Sequence, residues 1–294
     1  MNLLRIAASR NRVASIVTPP TPPTPGTNPD AQAYADDVVA NGGDPLSEAQ
    51  LQAFSDFCDA LDTASISGKM ISVMVFWRDL TTAFTPLYQV GGNDPWTNNN
   101  FVVGDLSVNG LKGDGSTTYL DSGFTGTDLF TVSNAGLSLM VYEHVSPSGA
   151  ATEFGGDDFV NYFQLRTAYG ADPILADAFC YSGEAESYAP SVSYSPSPIT
   201  GMFSLNLTSA TAFAFYHGTA AGNLTTLGTN ATEQTHVSDT NLFSHCYNSQ
   251  GSASTFTLAR ISFIALHSGL TLGEAQDLYD AAYALRTALG GGAA

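Results

Sequence analysis

The spacing of apolar side chains changes period twice along the chain. Over residues 27–63 it is helical. Asn28-Pro29-Asp30 opens a first helix with Pro29 at its first position, and Gly42-Gly43 stops it. Ser47-Glu48-Ala49-Gln50 then forms a capping box ahead of Leu51, Phe54, Cys58 and Leu61, with Phe57 beside them. From Lys69 the period becomes that of strands. Met70 to Trp77 (MISVMVFW) is a short apolar run suited to a buried strand. Asn109 to Phe124 reads as a glycine-rich turn feeding an alternating strand. Gly110, Gly113 and Gly115 admit unusual backbone angles, Asp114-Gly115 is a turn pair, and Leu120 and Phe124 face away from Tyr119 and Asp121. Further strands are predicted at Leu137–Val145, Tyr162–Arg166, Met202–Leu207, Thr211–His217 and Phe256–Leu266. In the last, Phe256, Leu258, Ile264 and Leu266 share one parity and Ile261 and Phe263 the other, so both faces should be covered. Gly183–Pro198 is too rich in Pro and Ser for a central strand.

A helical period returns at Thr271-Leu272-Gly273-Glu274, a second capping box. Leu278, Ala281, Ala282, Leu285 and Leu289 form one stripe that Gly290-Gly291-Gly292 ends. This helix is expected to lie against the strands, with an oligomer contact as the alternative. Many strands joined by turn-rich loops, without alternating helices, predict a mainly β antiparallel sandwich. It would carry an N-terminal helical hairpin and a C-terminal helix. The expected boundaries are 1–26 for an arm, 27–68 for the hairpin, 69–268 for the sandwich and 269–294 for the last helix.

The front end differs in kind. Residues 1–17 are weakly amphipathic, and TPPTPPTPGT follows with five prolines among residues 19–25. Such a spacer is extended polyproline II, at roughly 3.1 Å per residue. An anchor, a stiff spacer and a globule make sense if Leu3, Leu4, Arg5, Ile6, Arg10, Arg12, Val13, Ile16 and Val17 dock on another chain; a disordered tail is the alternative. Charge sharpens the division. Of a net −18, residues 1–29 hold three arginines and no acid, which leaves 6 basic and 27 acidic residues, a net of −21, on the remaining 265. An acidic body disfavours nucleic acid and anionic membrane as partners. Cys58, Cys180 and Cys246 are widely spaced, form no CxxC, and read as small buried apolar residues. No secretion signal stands out, since Arg5 interrupts Leu3 and Leu4, and no apolar run is long enough to span a membrane.

Signatures of catalysis are sparse. GxSxG, a P-loop, GxGxxG and HExxH are absent, and His245-Cys246 is the nearest thing to a metal pair. Glu184 and Glu186 share a parity but sit in the Ser/Pro-rich loop, a poor support for two carboxyls that must be held about 5 Å apart. Binding is the better supported class. Tyr181, Tyr188 and Tyr194 punctuate one loop, and Trp96 sits among Asn93–Asn100. Aromatic faces in polar loops stack sugar rings or anchor protein interfaces; folding down onto the sandwich is the competing reading. Asp157 and Asp158, after Gly155-Gly156, are candidate oxygen ligands for calcium if a turn brings them together. Asn206, Asn223 and Asn230 open N-x-T sequons, which matter only in a glycosylating compartment.

The string LKGDGSTTYLDSGF resembles the opening strand of concanavalin A-like (laminin-G-like) jelly rolls. More narrowly, the order of pieces resembles a group of phage and bacterial surface proteins. These show a helical hairpin, a K-M-x-x-x-x-x-F strand (here Lys69, Met70, Phe76), GDGSTxYLDTGF, and a closing segment matched by Ala259 to Gly290. The resemblance covers roughly residues 30–290 and implies a jelly-roll sandwich exposed on a virion or cell surface, without a defined active site. The strand motif ExDxxE of the jelly-roll glycosidases is missing. The expectation is therefore a non-enzymatic phage virion structural protein, of head decoration, head fibre or tail attachment. It would be held to other virion proteins by residues 1–26, assemble as a homo-oligomer with a trimer among the candidates, and touch host glycans. The alternative is a carbohydrate-binding module or a glycan-cleaving enzyme of a bacterial cell surface.

Overall fold

The two stretches in which both parities are apolar become neighbours at the centre of one sheet. β1 (Met70–Val75) and β18 (Arg260–His267) pair antiparallel, with Val73 opposite Ala265 and Met74 opposite Ile264. The computed structural model describes residues 26–91, 94–131, 133–144, 151–158, 161–166, 175–182, 192–193, 200–231 and 238–292; for 161–162, 175–182, 192–193 and 230 it gives the backbone alone. The docking residues predicted between Leu3 and Val17, and Tyr188 and Tyr194, lie outside the described residues.

The first sheet runs in the order β14 (Thr225–Asn230), β13 (Ala212–Gly218), β12 (Gly201–Ser209), β7 (Ala135–Glu143), β18, β1, β2 (Tyr88–Gln89). A hairpin of β4 (Leu106–Ser107) and β5 (Gly110–Lys112) is added against β18. The second runs β11 (Val192–Ser193), β10 (Leu175–Ser182), β9 (Asn161–Arg166), β8 (Phe154–Asp157), β15 (Asn241–Ser244), β6 (Tyr119–Thr125), β3 (Thr97–Asn99). There β16 (Tyr247–Ser249) lies parallel to β8 and carries β17 (Ser252–Ser254). Apart from that parallel pairing the strand pairs described are antiparallel, and the result is the predicted jelly-roll sandwich.

Between the sheets, Leu137, Leu139, Phe203, Leu205, Ile261, Ile264 and Leu266 from the first meet Leu120, Phe154, Phe163, Leu165 and Leu242 from the second, all fully buried. A register shift between Ile261 and Phe263 corrects the expected parity. Ile261 joins Ile264 on the inner face, and Phe263 turns outward with Ala265. That outer face is covered by α1 (Pro29–Ala40), α2 (Glu48–Thr63) and α5 (Leu272–Ala288). Phe57 meets Phe263 edge-on at 6.0 Å between centroids, and Phe54 lies between Tyr34 and Trp77. Both predicted capping boxes form, Ser47 with Gln50 and Thr271 with Glu274. Arg286 of α5 is 1% exposed and donates to the carbonyls of Phe76 and Val108, so it pins the helix to the ends of strands. Two short helices, α3 (Leu80–Phe84) and α4 (Gly126–Leu129), complete the described helices, none of which is long and apolar enough to cross a membrane.

The described residues thus form three layers: helices, a sheet with apolar packing on both faces, and a second sheet whose inner face meets the first. In the predicted glycine-rich turn, Gly110 and Gly115 do take positive φ. Gly113 is needed for closeness instead, because a Cβ there would sit 2.2 Å from the Thr257 carbonyl. Asp114 organises this turn by accepting from the backbone N–H groups of Ser116, Thr117 and Thr118 at 2.8, 2.7 and 3.0 Å.

Candidate functional site

Among the described residues α1, α2 and α5 cover the first sheet and not the outer face of the second, whose alternation sets which side chains it carries. Tyr119 and Asp121 on β6, Phe243 on β15, and Gly155 and Gln164 on β8 and β9 all point away from the core. The expected split of Tyr119 and Asp121 from Leu120 is thereby seen. Phe124 departs from it, because the register between β6 and β15 shifts beyond Asp121.

On this face lies an open cleft of about 510 Å3, lined by Asp121, Asp158, Asp239, Thr240, Asn241, Phe243, Asn248, Gln250 and Gly251. Its side chains are braced by one another. Asp121 accepts from the Gly123 N–H at 2.8 Å and from the Asn241 amide at 3.2 and 3.3 Å. Asn248, 1% exposed, donates to the Asn241 carbonyl at 2.8 Å and accepts from the Gly251 N–H at 2.7 Å. Asp158 accepts from the Asp239 N–H at 3.0 Å, and Asp239 from the Thr127 hydroxyl at 2.8 Å. Phe243 is a nearly buried floor, and the half-buried ring of Tyr119 lies against it, tilted by 31° with centroids 4.7 Å apart, with Phe256 beyond at 6.3 Å. Burial, and then the neighbouring Cys246 thiol and Asp121 carboxylate, raise the Tyr119 phenol above its ordinary range, so it stays a neutral donor. The cleft therefore combines carboxylate acceptors, amides that both donate and accept, and an adjoining aromatic surface.

The sequence-predicted residues fall differently. Trp96 corrects the expectation of an exposed loop aromatic: it is 2% exposed, its ring packs on Phe154 at 6.1 Å, and its backbone N–H donates to Phe84. Its polar sequence neighbours signal a loop, yet the loop folds its indole into the core. Tyr181 lies on β10, where the backbone alone is described. Asp157 and Asp158 separate. Asp157 is 3% exposed at the end of β8, whereas Asp158 reaches the cleft. No group of three or more His, Cys, Asp or Glu able to hold a metal occurs among the described residues. At His245-Cys246 both ring nitrogens are engaged: Nε2 donates to the Leu111 carbonyl, and Nδ1 accepts from Ser244. Cys58 and Cys246 are free and buried, and burial drives the Cys58 thiol up to about 12.

A second serine–histidine contact, Ser138 with His267, is sealed as well. His267 Nδ1 donates to the Ser268 carbonyl, so Nε2 accepts from Ser138 at 2.8 Å; Ser204 and Asn206 continue the chain, and Asn206 accepts from the Leu270 N–H. All four side chains are 0% exposed, which fits a polar tie between sheet and α5 rather than a nucleophile. The same burial closes the Asn206 sequon, whereas Asn223 is exposed in a turn.

Asp239, Asn241, Phe243 and Asn248 were not singled out by sequence. The polar run Ser238-Asp239-Thr240-Asn241 ahead of an apolar pair was the available signal.

The sequence matches no family model and no curated protein. Among solved structures it is similar to domain 4 of AbnA, a GH43 extracellular arabinanase from Geobacillus stearothermophilus in complex with arabinotriose. The identity is 15% over 72% of this chain and 98% of that one, with a TM-score of 0.48. It is also similar to the CBM40 of the Ruminococcus gnavus IT-sialidase, at 11% identity over 58% of this chain and 98% of that one, with a TM-score of 0.39. A third is a mutant Trypanosoma rangeli sialidase displaying trans-sialidase activity, at 13% identity over 80% of this chain and 39% of that one, with a TM-score of 0.44.

Proposed function

We propose that the sandwich is a glycan-binding domain that acts without catalysis, through the cleft on the open face of its second sheet. The observation that carries this reading is the cleft itself: three carboxylates and three amide side chains around a depression whose floor is Phe243, with the tilted Tyr119 ring packed beside it. Sugar hydroxyls are both donors and acceptors, and the C–H faces of sugar rings suit an aromatic surface, so such a lining meets both needs. In the same reading the domain is displayed on a virion, with residues 1–26 docking on a neighbouring structural protein. That part is supported by the sequence resemblance and by the basic, Pro-spaced front end.

A glycan array probed with the full chain and with Asp121→Asn, Asn248→Ala and Tyr119→Ala tests the binding claim. Each substitution should weaken a bound glycan about tenfold or more. Binding untouched by all three, or an array without signal, removes the cleft from consideration. Release of shorter sugars from any bound polysaccharide would overturn the non-catalytic part, and assembly onto particles by a chain lacking residues 1–26 would overturn the docking part.

A further inference from the structure

The charge of the cleft is one-sided. Asp121, Asp158 and Asp239 all line it, and among the described residues no lysine, arginine or histidine does. The chain around it is acidic as well, with a net charge of −18. We propose that the cleft selects glycans by charge, taking those with free amino groups most tightly, neutral ones next, and rejecting carboxylated or sulfated ones; this rests on the glycan-binding reading above.

The argument is one of acceptors and of field. An ionised carboxylate offers about four acceptor sites. Asp121 uses three of its own on Gly123 and Asn241, and Asp239 receives the Thr127 hydroxyl. Acceptor capacity therefore remains toward the open side, where an ammonium or hydroxyl donor forms a charge-assisted bond. A carboxylate or sulfate on the ligand meets three like charges instead. On the first-sheet side, Lys112 and Arg260 are paired with Glu143, and Lys69 with Glu274 at the start of α5; Arg166, on β9 of the second sheet, is not among the described residues that line the cleft. The donors that the cleft does supply, from Asn241, Asn248, Gln250 and Thr240, are neutral and serve hydroxyl or acetamido oxygens. Because the cleft is open to solvent, the selection must fade with salt.

Isothermal titration of the full chain with three hexasaccharides tests this: glucosamine, N-acetylglucosamine and galacturonic acid oligomers. At about 0.02 M salt the amine should bind roughly tenfold more tightly than the acetylated form, and the uronate roughly tenfold more weakly. The three should converge at about 1 M salt, where the screening length falls to about 3 Å. Asp121→Asn combined with Asp239→Asn keeps the shape and removes two charges. It should compress the series to a spread of about threefold even as overall affinity falls, and a cooperative thermal transition shows that the variant is folded. Uronate binding as tight as that of the acetylated hexamer, competed by it and weakened by Asn248→Ala, overturns charge selection and leaves glycan binding standing. No heat from any of the three together with a blank array removes both.

Discussion

His245 and His267 are each 0% exposed and uncharged in the folded chain. Burial drives both down to about 4, only partly opposed by the carbonyls of Leu111 and Ser268 that accept from them. Around His267 stand Lys69, which lowers it further, and Glu274, which raises it. Gly136 closes the remaining space, since a Cβ there would lie 2.2 Å from Nδ1. In an unfolded chain the same imidazoles titrate near 6.5, so between that pH and about 4 the unfolded state holds more protons. Stability is then full above about pH 6.5 and falls as acid is added, by up to roughly 3 kcal/mol per pH unit for the two rings together. Urea unfolding at a series of pH values from 7.5 to 4.5 reads this directly, and a flat midpoint across that range would contradict it. Below about pH 4 the loss passes to carboxylates. Glu143 is held low by the Lys112 ammonium, and Asp114 by the Thr117, Thr118 and Ser116 donors, which outweigh the upward push of its burial.

At the scale of elements, Glu274 joins two jobs at the start of α5. One oxygen accepts from the Thr271 N–H at 2.9 Å to close the capping box, and the other pairs with Lys69 at 2.6 Å beneath β1. Thr271→Ala should cost about 1 kcal/mol by orphaning a helix N–H. Glu274→Gln, which keeps the cap and loses the half-exposed ion pair, should cost less than about 1 kcal/mol. Thermal unfolding of the two variants checks the order, and a larger loss for Glu274→Gln would reverse the assignment. Such elements were legible because their signals are local: Ser47 with Gln50 and Thr271 with Glu274 stand within one turn, and the unbroken runs of β1 and β18 announce a sheet covered on both sides. The cleft was not legible in that way. Tyr119 and Asp121 showed their shared face, but Asp158, Asp239 and Asn248 come from other segments and meet only through pairing of β6, β15, β8 and β16. Trp96 misled for the same reason. Its neighbours in sequence are asparagines, while its burial is decided by Phe154, far along the chain. The strands between Asn241 and Ser254 went unread because they are three or four residues long and rich in Ser and Asn.

For the whole molecule, the expected boundary between a helical hairpin and a sandwich is a boundary in sequence only. Tyr34, Phe54 and Phe57 share one apolar cluster with Met140, Met202 and Phe263 of the sheet and with Leu278 and Tyr279 of α5. A chain beginning at Ser67 would leave that sheet face covered by α5 alone and should lose cooperative melting and solubility. A soluble, cooperatively melting product would show that the sandwich stands alone. The same layering governs direction. Asn28, where the described chain begins its first helix, is fastened to α2 through Ser55, Asp59 and Asp62. It is therefore rooted on the helical side, with a doubly covered sheet and a second sheet about 10 Å farther on separating it from the cleft. Any support that grips the front end from the helical side would turn the carboxylate-lined hollow toward the medium, much as a handle and a blade share one axis.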